Sequence, residues 1–522
     1  VQNIPKTTSI ARLVTLTLVM SFLLSCGPVP APGVAVKIRF AQSRQAETDP
    51  RGLPLGIHSF KVQAFAVSLS GSLQGDSGCI DIDADDSRRK SLTMDLIPQQ
   101  NLVVVASGYA GQGCLGGAEP EWMGLTKGIE VIVGREVQVP VYVTRRGMAL
   151  NNILDELRPG RAFASANELP DGKILVAGGY TTILSTSGGV ELEATNEALL
   201  FDPSTASFER VGRMIESRGF HEALPISDGR VMMVGGSRRM SVSYTEGSMF
   251  QIALSEAAQT AEVYDPEGRT FSLAGNDPLL ARMAAAAVAL PGDQIVLLGG
   301  QTALSRTNDI VLGLPSGTAS WDWTSLSGRL AAQLRGSRAV LLDSRILLAG
   351  GNRDGDPPLE MGYAETLNFT PLSLTVSAYL SVSGHSLTES GDRQVLVAGG
   401  IPDFPGAPAV GDLTSLSFSG ASPQAKELSL THARAYHAAA AMADGVVLFA
   451  GGVDGSFDLR LDMETFNSGD QAPMSLDGTL STGSVGLATA LLPDGSVLLV
   501  GGLGLDPGGS LVLSAVAQIL SP

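Results

Sequence analysis

The chain has 522 residues, a formal net charge of −17 and a pI of about 4.8. That length exceeds what one compact core holds, so two or more units are expected. Lysines and arginines form no run longer than Arg88, Arg89 and Lys90, which argues against nucleic acid as a partner, because a basic stripe supplies most of that affinity.

At the front, Lys6 and Arg12 precede an apolar stretch over residues 13–24. It is too short to span a bilayer and suits the apolar part of an export signal. The stretch ends LLSCG. This resembles the bacterial lipobox, which implies a lipoprotein signal peptide over residues 1–25 and lipid attachment at Cys26. Residues 26–33 read GPVPAPG with that cysteine, a Pro/Gly-rich tether. The expected location is the cell envelope, at the outer membrane or cell surface, with membrane contact through the lipid anchor only. An ordinary secretory signal with an incidental cysteine is the alternative.

Residues 34–146 contain VAVKIRF, HSFKVQAFAVSL, NLVVVASGY, IEVIVG and EVQVPVYVT, which alternate or run apolar between Gly, Asp and Pro. A small antiparallel β-sandwich is the expectation. Cys79 and Cys114 are left as an even pair, read as a disulfide in an oxidising compartment rather than as two buried thiols. The run DIDADD over residues 81–86 has oxygen ligands for calcium but lacks the glycine and distal glutamate of an EF-hand loop, so it reads as an acidic solvated loop.

Residues 147–522 carry one motif seven times: an apolar strand, a polar turn, a second apolar strand and a glycine pair. The first copy is RAFASANELPDGKILVAGG, residues 161–179. The pairs begin at Gly178, Gly235, Gly299, Gly350, Gly399, Gly451 and Gly501, so they lie 57, 64, 51, 49, 52 and 50 residues apart. The strand before each pair, such as KILVA or SVLLV, is continuously apolar and is expected to be buried on both faces. Third strands follow as ALLFDP, AEVYDP and AETLNFTP, and fourth strands carry Phe208, Phe271, and Trp321 or Trp323. This pattern resembles the kelch repeat, Arg-x-x-His, a strand, Gly-Gly, then Tyr-Asp-Pro and an aromatic. The resemblance implies an all-β fold, a seven-bladed kelch-like β-propeller preceded by the small β-sandwich. The last copy stops after its third strand, and a spare segment, MALNNILDEL over residues 148–157, precedes the first. Pairing of residues 151–157 with the strand near residues 513–519 is therefore expected to close the ring.

His221, His385 and His437 each lie 14 residues before the first glycine of a pair. They read as repeated structural histidines rather than as a metal or catalytic ring, since equal register spreads them around the ring. Arg161, Arg218, Arg282 and Arg434 share another register position. Copper oxidases such as galactose oxidase are also kelch propellers, but that family needs a Tyr crosslinked to Cys, and no cysteine follows Cys114. Bacterial sialic-acid mutarotases resemble the chain at fold level only. No catalytic residue, cofactor or metal is assigned.

Long polar connections over residues 180–195 and 237–259, with shorter ones at the same place in later copies, are the candidate binding loops. Their candidate residues are Tyr180, Glu191, Glu193, Arg238, Arg239, Tyr244, Arg306, Arg353, Asp354 and Asp356. The expected function is non-catalytic binding of protein or glycan at the cell envelope. A carbohydrate-active, mutarotase-like enzyme with its site at the channel mouth and a purely structural surface component are the alternatives.

Overall fold

The computed structural model describes residues 34–41, 57–66, 73–82, 91–96, 99–114, 120, 122–131, 137–142, 144–145 and 149–150. It further describes 157–520 except 188, 204, 246–248, 331–332, 343–344, 354–363, 370–371, 378–381, 392, 403–406, 419–423, 443–444, 468–469, 483–484 and 494. The fold is all-β, with two single-turn 3-10 helices among the described residues.

The front segment forms two sheets. A three-stranded sheet has Val34–Ala41 between Ser91–Leu96 and Val137–Tyr142. A five-stranded sheet has the order Leu73–Asp81, Ser59–Ala66, Gln99–Tyr109, Trp122–Val131, Thr144–Arg145. Met94 and Leu96 of the first share an apolar core with Val62, Leu102, Val104 and Trp122 of the second. The expectation of wholly antiparallel pairing is corrected here: Val34–Ala41 runs parallel to Val137–Tyr142, because the chain returns to the first strand only after crossing the other sheet. Cys79 and Cys114 form a disulfide. It joins a strand to the 3-10 turn Gln112–Cys114, which is held from below by Ser59: Cys114 N donates to Ser59 Oγ and Ser59 Oγ donates to Gly111 O. Of the acidic run, Asp81 accepts from Gly113 N, and residues 83–86 lie outside the described residues.

From residue 157 onward the motif builds four-stranded antiparallel sheets in chain order. The first is Ser165–Glu168, Ile174–Ala177, Glu197–Asp202, Ser207–Arg213. Six more such sheets follow among the described residues, the last being Ala488–Leu491, Val497–Val500, Ala517–Leu520 and, out of chain order, Ala149–Leu150. The strands ahead of the glycine pairs, from Ile174–Ala177 to Val497–Val500, are buried, because sheets stack on both of their faces. Innermost strands neighbour one another in a cycle that returns from Ala488–Leu491 to Ser165–Glu168. The last sheet borrows its outer strand from far upstream: Leu150 lies opposite Ile519 and Ala149 opposite Leu520. The borrowed pairing thus sits two residues before the segment expected to make it. Residues 151–156 lie outside the described residues, and Leu157 N donates to Ala515 O.

Candidate functional site

The centre of the cycle is built from the residues between each outer strand and the next inner strand. The register arginines come first. Arg161, Arg218, Arg282 and Arg434 are buried, and each donates from Nη1 to the carbonyl of the first glycine of its own repeat, Gly178, Gly235, Gly299 and Gly451. The same nitrogens reach the first carbonyl of the third strand, at Glu197, Thr260, Asp309 and Asp462. One guanidinium therefore bridges two backbone carbonyls, of which those at Glu197, Asp309 and Asp462 also accept from the N–H of the first glycine. Arg218 also donates to Glu262 at 2.7 Å and Arg434 to Glu464 at 2.6 Å, all four side chains being buried. These arginines are structural.

The glycine pairs explain how repeats meet. The second glycine donates its N–H to the register residue of the following repeat, as Gly179 to Arg218 O, Gly236 to Arg282 O and Gly400 to Arg434 O. Gly502 makes the same bond to Arg161 O, from the last repeat to the first. The first glycine has positive φ, and a Cβ at Gly178, Gly399 or Gly501 would collide with that same carbonyl.

Two residues after the register position the backbone turns left-handed in every repeat. Phe163, Phe220, Ala284, Gly336, Gly384, Tyr436 and Gly486 all have φ between 48° and 72°. They form an inner ring: Phe220 N donates to Phe163 O, Gly336 N to Ala284 O, Tyr436 N to Gly384 O, Gly486 N to Tyr436 O and Phe163 N to Gly486 O. Holding Phe, Ala and Tyr where glycine is the easy residue costs about 1–2 kcal/mol each. The aromatic side chains fill the centre: Phe163 stacks on Phe220 at 5.1 Å and meets Tyr436 edge-on at 6.3 Å.

Over this ring lies a further four-stranded sheet that sequence reasoning read as loops. The connections over residues 180–195 and 237–259 are two hairpins, Tyr180–Thr186 with Gly189–Ala194 and Ser237–Thr245 with Met249–Ala257, joined through their middle strands. Alternation explains the join. Leu192 opposite Met240 and Val190 opposite Val242 face the core with Phe250, while Glu193 opposite Arg239 and Glu191 opposite Ser241 face outward. Phe250 lies 5.7 Å from Tyr436, so this cover sheet packs onto the inner ring.

The register histidines pin neighbouring repeats. His221 Nε2 bonds Ser165 Oγ at 3.0 Å and His437 Nε2 bonds Ser386 Oγ at 2.9 Å, each serine in the preceding repeat. Each ring, His385 included, lies against the first glycine of the preceding pair. Burial, aided by neighbouring arginines, lowers His221 and His385 to about 3 and His437 well below its ordinary value. All three are neutral at physiological pH.

Tyr180 is fully buried, its hydroxyl bonded to Ser237 Oγ and its pKa raised by burial. On the cover sheet Arg239 pairs with Glu191, with Glu193 at 3.0 Å and with Glu256 at 2.9 Å, and Arg238 lies 3.9 Å from Glu256. Tyr244 meets Phe250 edge-on at 6.3 Å. Arg306 bridges Gln301, and Arg353 pairs with Leu334 in a two-residue strand. Asp354, Asp356 and Cys26 lie outside the described residues. Sequence reasoning missed the inner ring and the cavity of about 50 Å³ beside it, lined by Phe220, Ile252, Leu254, Arg335, Ser383 and Tyr436. The signal was present, as the residue two after each register position, but nothing in one repeat says that seven such residues meet.

No protein-family model matches the chain, and no curated protein matches it. Among solved structures it is similar to a fungal alcohol oxidase of the AA5 family, in complex with copper, at 15% identity and a TM-score of 0.53, over 72% of this chain and 76% of that one. The fold thus resembles a galactose oxidase-like β-propeller. The residues here do not fit a copper ion. Phe163, Phe220, Phe250 and Tyr436 fill the centre with a single oxygen donor among them, the histidines are turned into repeat contacts, and no group of three His, Cys, Asp or Glu gathers among the described residues.

Proposed function

We propose that this chain is a lipid-anchored protein of the bacterial cell envelope, in which a small β-sandwich carries a seven-bladed kelch-like propeller that binds protein or glycan without catalysing a reaction. The cover sheet is the observation that carries the binding role. Its inner face packs Leu192, Met240, Val242 and Phe250 into the core, and its outer face presents Glu191, Glu193 and Arg239 between Ser241, Gln251 and Ser255. A flat polar face on a rigid scaffold suits a broad partner better than a small substrate. The anchor reading rests on LLSCG after a basic and then apolar stretch.

The test is retention of envelope extracts and of a glycan array by the purified chain, with Arg239→Glu as the surface variant and Cys26→Ser followed by membrane fractionation. Arg239→Glu reverses the charge at the centre of the face and should lower retention about tenfold or more, and Cys26→Ser should leave the membrane fraction. The cavity beside Tyr436 favours the second reading, an enzyme acting on sugars at the channel mouth. Unchanged retention by Arg239→Glu, together with sugar turnover that Tyr436→Phe abolishes, would replace the first reading by the second.

A further inference from the structure

The two outer strands of the cover sheet end differently. Tyr180–Thr186 lies beside the short hairpin of repeat seven, Leu503–Leu505 with Leu511–Leu513. Met249–Ala257 pairs with Ser237–Thr245 and ends the sheet, and no other described strand runs alongside it. Among the described residues no backbone hydrogen bond leaves its outer side. Sheets commonly guard such an edge with lysine, proline or a bulge. Here residues 249–255 read MFQIALS, with no charge and no proline, and the left-handed residue Glu256 comes only at the end.

The inner ring changes character beside this edge. Repeats one, two and six place Phe163, Phe220 and Tyr436 at the left-handed position, whereas repeats three, four and five place Ala284, Gly336 and Gly384 there. Those three small residues line the cavity of about 50 Å³ together with Ile252 and Leu254 of the end strand. Along that strand Phe250 is buried and Ile252 and Leu254 are half-buried against the core, while Gln251, Ala253 and Ser255 are exposed. The edge therefore offers a main-chain ladder with a small recess against its inner face. Donors and acceptors repeating at strand spacing match another main chain and not a sugar polymer. The uncharged run asks for an uncharged segment, small and apolar inward, polar outward. We propose that Met249–Ala257 takes an extended segment of a partner protein as a fifth strand of the cover sheet, one small apolar side chain of that segment seated by Ala284, Gly336 and Gly384. This rests on the surface-binding role and names its partner class.

The register supplies a variant that fills the recess. Ala284 holds the left-handed backbone that Phe163 and Phe220 hold in their repeats, so Ala284→Phe places there a side chain that two other repeats carry. The probe is an acetylated and amidated peptide of alternating threonine and valine, seven residues long by design, titrated into the full chain. Its counterpart with every amide N-methylated keeps the side chains and loses the donors. The parent peptide should bind saturably and slow amide exchange within residues 250–256 about tenfold or more. The N-methylated peptide should bind about tenfold more weakly or less, and Ala284→Phe should lose about tenfold while melting as the parent does. Ile252→Lys, which points a charge inward at the edge, should lose as much and covers the case in which Ala284→Phe fails to fold. Equal binding of the N-methylated peptide, no slowing of exchange at the edge, or binding unchanged in both variants would overturn the proposal. So would a dimer whose exchange at residues 250–256 is already slowed without peptide, since a second copy would then hold the edge. Retention of envelope proteins that Arg239→Glu lowers, without any peptide binding, would overturn this proposal and leave the surface role standing.

Discussion

Arg434 and Glu464 show what the register arginines require of their surroundings. Both are enclosed, and Glu464 Oε1 accepts from Nε and Nη2 of Arg434 while its other oxygen accepts from Thr431 N. Removing one member strands a buried charge, so Glu464→Leu should lower stability by about 3–5 kcal/mol in urea unfolding. Repeat one has Leu199 at that place, and among the described residues Arg161 Nε and Nη2 have no partner. Its guanidinium falls to about 10, burial being the main cause. The histidines make a pH-dependent contribution. Folded His385 titrates near 3 against an ordinary 6.5, so between those values the unfolded chain binds more protons and stability falls as pH drops. His385→Gln should therefore flatten part of the decline in urea midpoint below pH 6.5. Equal slopes for variant and parent would show that His385 is charged in the folded chain.

At the scale of elements, the cover sheet decides what the centre of the molecule can be. Its two hairpins come from repeats one and two, and neither alone has a buried partner for its apolar face. Phe250, 4% exposed and packed against Tyr244 and Tyr436, ties the second hairpin to the ring. Phe250→Ala should cost about 3 kcal/mol, expressed as opening of the sheet rather than of the whole fold. Amide exchange in residues 181–194 and 238–256 should then quicken by on the order of 100-fold, with strands such as Val231–Val234 staying protected. Uniform quickening across both would mean that the cover sheet and the ring open as one unit.

For the whole molecule the decisive contacts are those between the last repeat and the first. Gly502 N–H bonds Arg161 O, Phe163 N–H bonds Gly486 O, and Ala149–Leu150 supplies the outer strand beside Ala517–Leu520. An unmatched outer strand leaves a row of backbone groups open to association. Deleting residues 1–146 should therefore leave a folded, monomeric ring by size-exclusion chromatography and thermal melting. Deleting through Leu157 removes both the borrowed strand and the Leu157 bond to Ala515 O, and should lower the melting temperature and promote association. A truncated chain through residue 157 that melts like the longer one would show that the borrowed strand carries no stability.

The repeat was legible because a propeller sheet reuses one solution: KILVA, RVMMV and SVLLV must be apolar to lie between sheets, and the glycine after each must yield to a neighbouring carbonyl. The shared places of Arg161, Arg218, Arg282 and Arg434 and of His221, His385 and His437 could likewise be read as structural from register alone. The disulfide followed from three cysteines, one of them assigned elsewhere. Other features are properties of the closed ring. That Glu191 and Arg239 share a sheet face depends on hairpins of adjacent repeats being brought side by side. That Phe220, Arg335, Ser383 and Tyr436 line one cavity depends on residues more than 200 positions apart meeting at a common centre. The sequence by itself determined the repeated sheet and its inter-repeat contacts, because these are local and recur. Only the tertiary structure decided what fills the middle, because the inner ring is assembled from one residue of each repeat and is encoded in none of them.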